Sequence, residues 1–449
     1  MKKKPEDVTA SRSEAQRPSS AVDMPKRRGR FVWTSTAYAK NIYPILILTF
    51  MLVPLFLSNL DDIQNYHGDE NVWIFVGNKV FQLYAIEHDF SNPFWHIDLS
   101  SWGSYQPQVA KYIIGLGTYS AGYRDIPLIW YEYTKSNQEN IVNGRVLDSH
   151  VVSAARTPIA IMGIMSCILT YIITTKVTNR WYGVITTIML VGSGLLLKYS
   201  HRAMVDVPAL CFGLAVLSLL IYSMHYIRVK YTKAALILSV ATGISLGLAL
   251  GSKMNTLLIA GVVFVIFAIE IIYAVAKKQN VLLYLACGFL IAGCALTVFI
   301  LSNPFLYTDT VHGIQHILSM NQFLLNQEHP WRRRTLSAKV LSLYRQTMNF
   351  SPFNQLGFPI DGYFILLGVL RLCVTIIRRP RESRESSLAI IALWTFISFV
   401  GITLWLPSEY DHYFLPLHPI KAFLQAYGLI WIFEGCIFAI RKRVVVIYN

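Results

Sequence analysis

Residues Gly251–Lys278 read GSKMNTLLIAGVVFVIFAIEIIYAVAKK. A short polar turn leads into an apolar run from Thr256, which carries one carboxylate, Glu270, near its far end and closes on Lys277 and Lys278. About 20 apolar residues span a hydrocarbon core roughly 30 Å thick. Inside that core every backbone N–H and C=O must be paired within the segment, so the run is expected as a transmembrane helix. Runs of the same kind begin near Ile42, Val151, Tyr182, Val207, Ala234, Val281, Tyr363, Ser387 and Leu415, ten with the first. The expected fold class is all-α integral membrane: a polytopic helical bundle of about ten or more spans.

The composition agrees. Of 449 residues, 54% are hydrophobic and 14% charged, too few charges for a soluble domain. The net charge of +15 lies in short segments between apolar runs, a topology signal that argues against a nucleic-acid partner. The six cysteines lie within or beside apolar runs without C-x-x-C spacing, so neither a disulfide framework nor a zinc site is expected.

Residues 1–40 are basic and polar, with ten Lys and Arg, and are expected as a disordered cytoplasmic tail. The first run starts too deep for a cleaved leader and is read as a signal anchor. With the N-terminus cytoplasmic, alternate connections should be basic. They are, at Lys176/Arg180, Arg228/Lys230/Lys233, Lys277/Lys278, Arg378/Arg379/Arg381/Arg384 and a tail from Arg441. Arg332–Arg334 is the exception, in a long loop where the charge rule is weak. The membrane domain then covers 41–440, with outer loops at 61–150 and 302–361 and a cytoplasmic tail at 441–449.

The first outer loop is patterned. Val72, Phe75, Val76, Val80 and Leu83 recur at helical spacing, and so do Val109, Tyr112, Ile113 and Leu116 after Pro107. Both stretches read as amphipathic helices lying on the membrane, with Trp73, Trp95, Trp102 and Trp130 as an interfacial belt.

Five polar groups fall on the outer side. Asp69-Glu70 opens the first of these helices, where Asp69 reads either as a helix cap or as a carboxylate held ionised to accept a proton. In Ser200–Pro208, Arg202 and Asp206 are either a structural pair or functional. Lys253 opposes the positive-inside trend and either snorkels or meets a lipid phosphate. Ser302-Asn303-Pro304-Phe305 forms the fourth. Asp411-His412 is either a solvated boundary pair or a group that binds a metal or orients a substrate, and no histidine shows metal-ligand spacing.

In this order the motifs resemble the glycosyltransferase family 39 type: dolichyl-phosphate-mannose–protein mannosyltransferase-like enzymes of the C-type glycosyltransferase fold. Gly68-Asp69-Glu70 resembles the family's Asp-Glu pair, and Tyr105-Gln106-Pro107-Gln108-Val109-Ala110-Lys111-Tyr112 its His-Pro-Pro-Leu-(Ala/Gly)-Lys stretch. Ala155-Arg156-Thr157-Pro158 is similar to its Arg-x-Pro, and Ser200–Pro208 to its Ser-Arg-x-x-x-x-Asp-x-Pro turn. Ser252-Lys253-Met254-Asn255 resembles its Thr-Lys-(Trp/Tyr)-Asn, and Tyr413-Phe414-Leu415-Pro416-Leu417 the motif near the last span. Gln106 departs from the His or Pro usual there, and the 302–361 loop is too short for an extra β-trefoil domain, so a protein acceptor does not follow.

The resemblance implies inverting transfer of a mannose-like or related sugar from a polyprenyl-phosphate donor to a hydroxyl acceptor (lipid, glycan or protein) on the outer face of a cell (inner) membrane. Asp69 would be the general base and Glu70 would position the acceptor. Lys111, Arg202, Lys253, His412 and Tyr413 would meet the donor phosphate, with Asp206, holding Arg202, and Asn255 as orienting residues. No cofactor is implied beyond a possible divalent metal. A transporter or lipid flippase is the alternative, and a non-catalytic scaffold a third; either requires polar groups or tolerances that this pattern does not favour.

Overall fold

A computed structural model describes residues 35–96, 106–326, 335–349, 360–385, 387–405 and 411–448. Residues 1–34 of the expected tail, Trp102, Tyr105, Arg332–Arg334, Glu409 and Tyr410 lie outside the described residues, while residues 35–40, expected as the end of a disordered tail, are the start of helix α1 (Ser35–Leu57). The chain divides into two units, Met1–Ile42 and Tyr43–Asn449; of the first, the start of helix α1 is described.

The described residues form helices and loops, with no strand among them. The helices are α1 (Ser35–Leu57), α2 (Glu70–Phe81), α3 (Val109–Ser120), α4 (Asn137–Val142), α5 (Ser149–Val177), α6 (Arg180–Gly192), α7 (Leu195–Ser200), α8 (Asp206–Arg228), α9 (Thr232–Leu250), α10 (Leu257–Ala276) and α11 (Val281–Leu301). They continue with α12 (Thr310–Asn326), α13 (Leu336–Asn349), α14 (Asp361–Arg378), α15 (Pro380–Glu385), α16 (Leu388–Trp405) and α17 (His418–Tyr448).

Six of these stretches are long and apolar enough to cross a membrane: Ser149–Val177, Asp206–Arg228, Thr232–Leu250, Met254–Ala276, Val281–Leu301 and Asp411–Ile437. Ile42–Leu57 and Leu388–Leu404 are shorter apolar helices. The chain is an integral membrane protein. The run expected from Tyr182 is broken. Gly194 adopts φ 74°, a left-handed conformation that suits glycine, and the helix restarts as the short α7. The tail expected at 441–449 is the end of α17 as far as Tyr448.

In the larger unit, α9 packs between α8 and α11, α5 against α6 and α8, and α17 against α6 and α14. The pair α2–α3 packs on α5. Close approach within this pair rests on glycine: a Cβ on Gly115 would sit 2.1 Å from the Gly77 carbonyl oxygen. Both loop helices exist, but their burial is not one-sided. Asn71, Trp73, Ile74 and Asn78 on α2 are buried together with the expected apolar stripe. Asn78 is bonded to Thr118 at 2.9 Å and to the Tyr123 carbonyl at 3.0 Å, so polar residues join this core through their own partners.

The tryptophan belt is corrected in the same way. Trp95 is fully buried, its indole N–H donating to the Asp89 carbonyl at 2.8 Å, and Trp73 on α2 is buried as well, while Trp130 is exposed. Two helices, α12 and α13, occupy the loop expected at 302–361.

Candidate functional site

The polar motifs converge at one end of the bundle, where the start of α2, the 201–205 turn, the 251–256 turn and a 3-10 segment Asp411–Leu417 meet. Asp69 precedes α2 as its cap residue but makes no side-chain capping bond. Its carboxylate instead accepts from the hydroxyl of Tyr133 and lies 3.7 Å from His67 Nδ1, and it keeps 21% of its side-chain exposure. The helix cap is therefore not what this side chain does here.

Glu70 points the other way. It is fully buried and bound side-on by Arg156, Nε to Oε2 and Nη2 to Oε1 both at 2.8 Å. Its oxygens also accept the backbone N–H of His67 at 3.0 Å and of Ala203 at 2.8 Å. Burial alone would raise this carboxyl, but the Arg156 charge and these bonds outweigh it and hold it below the ordinary glutamate range. With four donors on two oxygens, nothing remains for an acceptor.

Lys253 donates to Asp206 Oδ1 at 2.6 Å, and its ammonium lies 5.0 Å from the Tyr413 ring centroid. Burial works to lower its pKa, yet the negative charge of Asp206, with a smaller contribution from Asp69, raises it above the ordinary lysine value. The pair expected between Arg202 and Asp206 is thus replaced: Asp206, at the first turn of α8, faces the 251–256 turn, and Arg202 lies 5.3 Å from the Tyr199 ring centroid. The His412 ring lies tilted beside Tyr413 at 4.3 Å and meets Tyr199 edge-on at 5.9 Å. Asp411 is taken up by Lys198 at 2.5 Å and by the Tyr199 hydroxyl.

Lys111 lies on α3, fully buried, with Nζ 3.3 Å from the Gln106 carbonyl and 5.7 Å from the Trp73 ring centroid. Burial pushes its ammonium well below the ordinary lysine range. Asn303 knits the end of α11 to α3, accepting the Gln108 N–H at 3.0 Å. Below Asp206 and Asn255 a narrow cleft runs between apolar side chains that include Leu214, Ile259, Trp394 and Leu415. Asp206 Oδ2 and Asn255 Oδ1, both at its head, have no hydrogen-bond partner among the described residues.

No group of three or more His, Cys, Asp or Glu side chains that could hold a metal ion occurs among the described residues.

A family model described as dolichyl-phosphate-mannose-protein mannosyltransferase matches residues 87–314, half of the chain. The chain belongs to this family. The matched region includes Lys111, Arg202, Asp206, Lys253 and Asn255, and it leaves Asp69, His412 and Tyr413 outside. Among solved structures, ArnT from Cupriavidus metallidurans bound to undecaprenyl phosphate aligns at 14% identity and TM-score 0.50, over 88% of this chain and 60% of that one. An Archaeoglobus fulgidus oligosaccharyltransferase in complex with Zn and sulfate aligns at 15% and 0.50, over 90% of this chain and 50% of that one. The Saccharomyces cerevisiae Pmt1-Pmt2 complex bound to its sugar donor aligns at 15% and 0.46, over 62% and 34%. At such identities the first two show a shared fold. The chain spans from about a third to three fifths of the length of these solved chains. No curated protein matches it.

Sequence reasoning missed Tyr133, Tyr199 and Lys198, and it saw Arg156 as a motif member without its partner. Arg156 and Glu70 are 86 residues apart, and no local pattern signals such a pairing.

Proposed function

We propose that this protein is an inverting membrane glycosyltransferase that moves a sugar from a polyprenyl-phosphate donor to an acceptor hydroxyl on the non-cytoplasmic face. One observation carries the reading. The ammonium of Lys253 bonds at 2.6 Å to Asp206, which stands at the head of an apolar cleft. A lipid-phosphate sugar donor calls for an apolar groove for its tail and a cation for its head, and transfer from it calls for a carboxylate to take the acceptor's proton.

In this reading Asp69 takes the proton of the acceptor hydroxyl as its oxygen bonds to the anomeric carbon. The bond from that carbon to the phosphate oxygen breaks, and polyprenyl phosphate leaves with the electron pair. Phosphate needs charge stabilisation more than a proton, and preorganised cations supply it. Lys253 and Arg202 are placed in that role, with Tyr413 and His412 lining the same corner, Asp206 holding Lys253, and Asn255 beside the phosphate. Lys111 joins them when a phosphate close by keeps it charged. Glu70, saturated by Arg156, holds the start of α2 against the 201–205 turn and so positions Asp69.

The basic connections of the sequence support cytoplasmic termini, about ten spans in a cell membrane, and an outward-facing site.

The test is transfer of label by the purified protein from polyprenyl-phosphate mannose, glucose or aminoarabinose to a crude membrane extract. Replacing Asp69 with Asn should cost about 10²–10⁴-fold, the usual span for a general base. Full activity in that variant would remove Asp69 from the mechanism.

A further inference from the structure

Tyr133 sits on the carboxylate that the proposed mechanism uses. It lies in the loop between α3 and α4, and the end of that loop is fixed. Buried Asn140 accepts the Glu132 N–H at 2.9 Å and donates to the Glu132 carbonyl at 3.0 Å. Asn137 reaches the carbonyls of Ile63 and Gln64 at 2.8 and 2.7 Å. Ser136 and Glu139 close a capping box on α4, and the Glu132 carboxylate lies 2.5 Å from Arg145. Four separate anchors thus hold the residues on either side of Tyr133.

From that anchor the Tyr133 ring reaches over the start of α2. It packs edge-on against Tyr131 at 5.3 Å, and its hydroxyl donates to Asp69 Oδ1. Gly68 makes the approach possible: a Cβ there would come within 2.5 Å of Tyr131 and 2.8 Å of Tyr133. The ring itself is 61% exposed, so it forms a cover between Asp69 and solvent.

A general base must first accept a hydrogen bond from the hydroxyl it will deprotonate. The phenol already makes that bond, its O–H donating to Asp69 Oδ1. At Oδ1 water offers the same single bond and no other contact, so it gains nothing by displacing the phenol from that oxygen. An acceptor brings further contacts, including the exposed faces of Tyr133 and Trp130.

We infer that Tyr133 is a specificity residue, occupying the acceptor hydroxyl's place on Asp69 Oδ1 so that water is not activated at that oxygen and donor hydrolysis is held down until an acceptor arrives. The inference rests on Asp69 being the base. The reaction it suppresses is the bonding of water oxygen to the anomeric carbon, with the proton passing to Asp69 and polyprenyl phosphate leaving with the electron pair; free sugar is the product.

Replacing Tyr133 with Phe keeps the ring and removes the hydroxyl. Without acceptor, release of free sugar from the polyprenyl-phosphate donor should rise about tenfold, the worth of one hydrogen bond to a charged group. The acceptor KM should fall, and adding Asp69→Asn should abolish the extra hydrolysis. A second measurement needs no turnover. Carbodiimide-driven coupling of a small amine to Asp69, read by mass spectrometry against the neighbouring Glu132, should be several-fold faster in Tyr133→Phe. Equal labelling in the two proteins overturns the inference whatever the transfer assay gives. Faster labelling combined with full transfer by Asp69→Asn would remove the base reading and, with it, the discrimination against water.

Discussion

Arg156 and Glu70 meet through two parallel bonds of 2.8 Å, both side chains buried, one on α5 and the other opening α2. The fork of a guanidinium matches a carboxylate in this geometry, and the two remaining contacts on Glu70 come from backbone N–H groups. Removing one partner leaves the other as an uncompensated buried charge, at a cost of about 3–5 kcal/mol. Arg156→Ala should therefore lower the melting temperature in detergent sharply, while an apolar replacement of both residues should recover part of the loss. A single variant as stable as wild type would show that water reaches the pair and that it is not the clamp described.

The same pair sets an acid limit. Glu70 is depressed below the ordinary glutamate value by Arg156 and by hydrogen bonds that together outweigh burial. A depressed carboxyl contributes stability that is fully present above its unfolded value, about 4.3, and that is lost as pH falls through the lower folded value. Thermal stability should hold down to about pH 4.5 and decline below it. Glu70→Gln should flatten that decline from a lower starting point; an unchanged acid slope would assign the decline to other carboxyls.

How far the molecule was legible follows from the range of each signal. Membrane runs announce themselves because bilayer thickness fixes their length, and the helices from Ser149, Asp206, Thr232, Val281 and Met254 appear where the runs lie. The break at Gly194 was hidden, since an apolar run stays apolar through one left-handed glycine. Trp73 and Trp95 were read as interfacial from their type, but their placement depends on α2 and the segment between α2 and α3 being packed inward. Asp69, Lys253 and Asp206 were visible as motif residues, yet the choice of Lys253 over Arg202 as the partner of Asp206 lies in how two turns face each other. Tyr133 had no signal at all, because its position is set by Asn140 and Asn137 holding the loop.

The glycine contact in the α2–α3 pair offers a test of how the site is held. A methyl group on Gly115 would meet the Gly77 carbonyl oxygen at 2.1 Å and the Phe81 Cβ at 2.5 Å, so the helices must move apart. Overpacking of this kind costs about 1–3 kcal/mol. Gly115→Ala should lower stability by that order and lower kcat as well, because α2 carries Asp69 at its start. Loss of stability with kcat intact would separate the helix pair from the site.

Lys111 gives a prediction in the opposite pH direction. Burial is the cause that pulls its ammonium well down from the ordinary lysine value. At pH below the lowered value the group is charged and meets a phosphate directly. Above it, binding an anionic donor must take up a proton, since a nearby negative charge favours the charged form. Donor KM should thus be flat at lower pH and rise as pH climbs past that value, by up to about tenfold per unit. Lys111→Arg should abolish the rise, because a guanidinium stays charged throughout. A wild-type donor KM independent of pH, with the arginine variant the same, would leave Lys111 as a packing residue of α3.

The cleft supplies the last test. Gly213 lines it on α8, and a Cβ there would meet Ile259 at 3.5 Å, an ordinary contact, so a larger side chain points into space that the proposed lipid tail fills. Each buried CH₂ of a tail is worth about 0.8 kcal/mol, so a long chain loses several contacts when the groove is narrowed and a short one loses few. Gly213→Leu should raise KM for a full-length polyprenyl-phosphate donor by at least about tenfold, the loss of roughly two such groups, and change KM little for a short-chain analogue. Equal effects on the two donors would mean that the tail lies elsewhere on the bundle, and that the cleft below Asp206 and Asn255 serves packing alone.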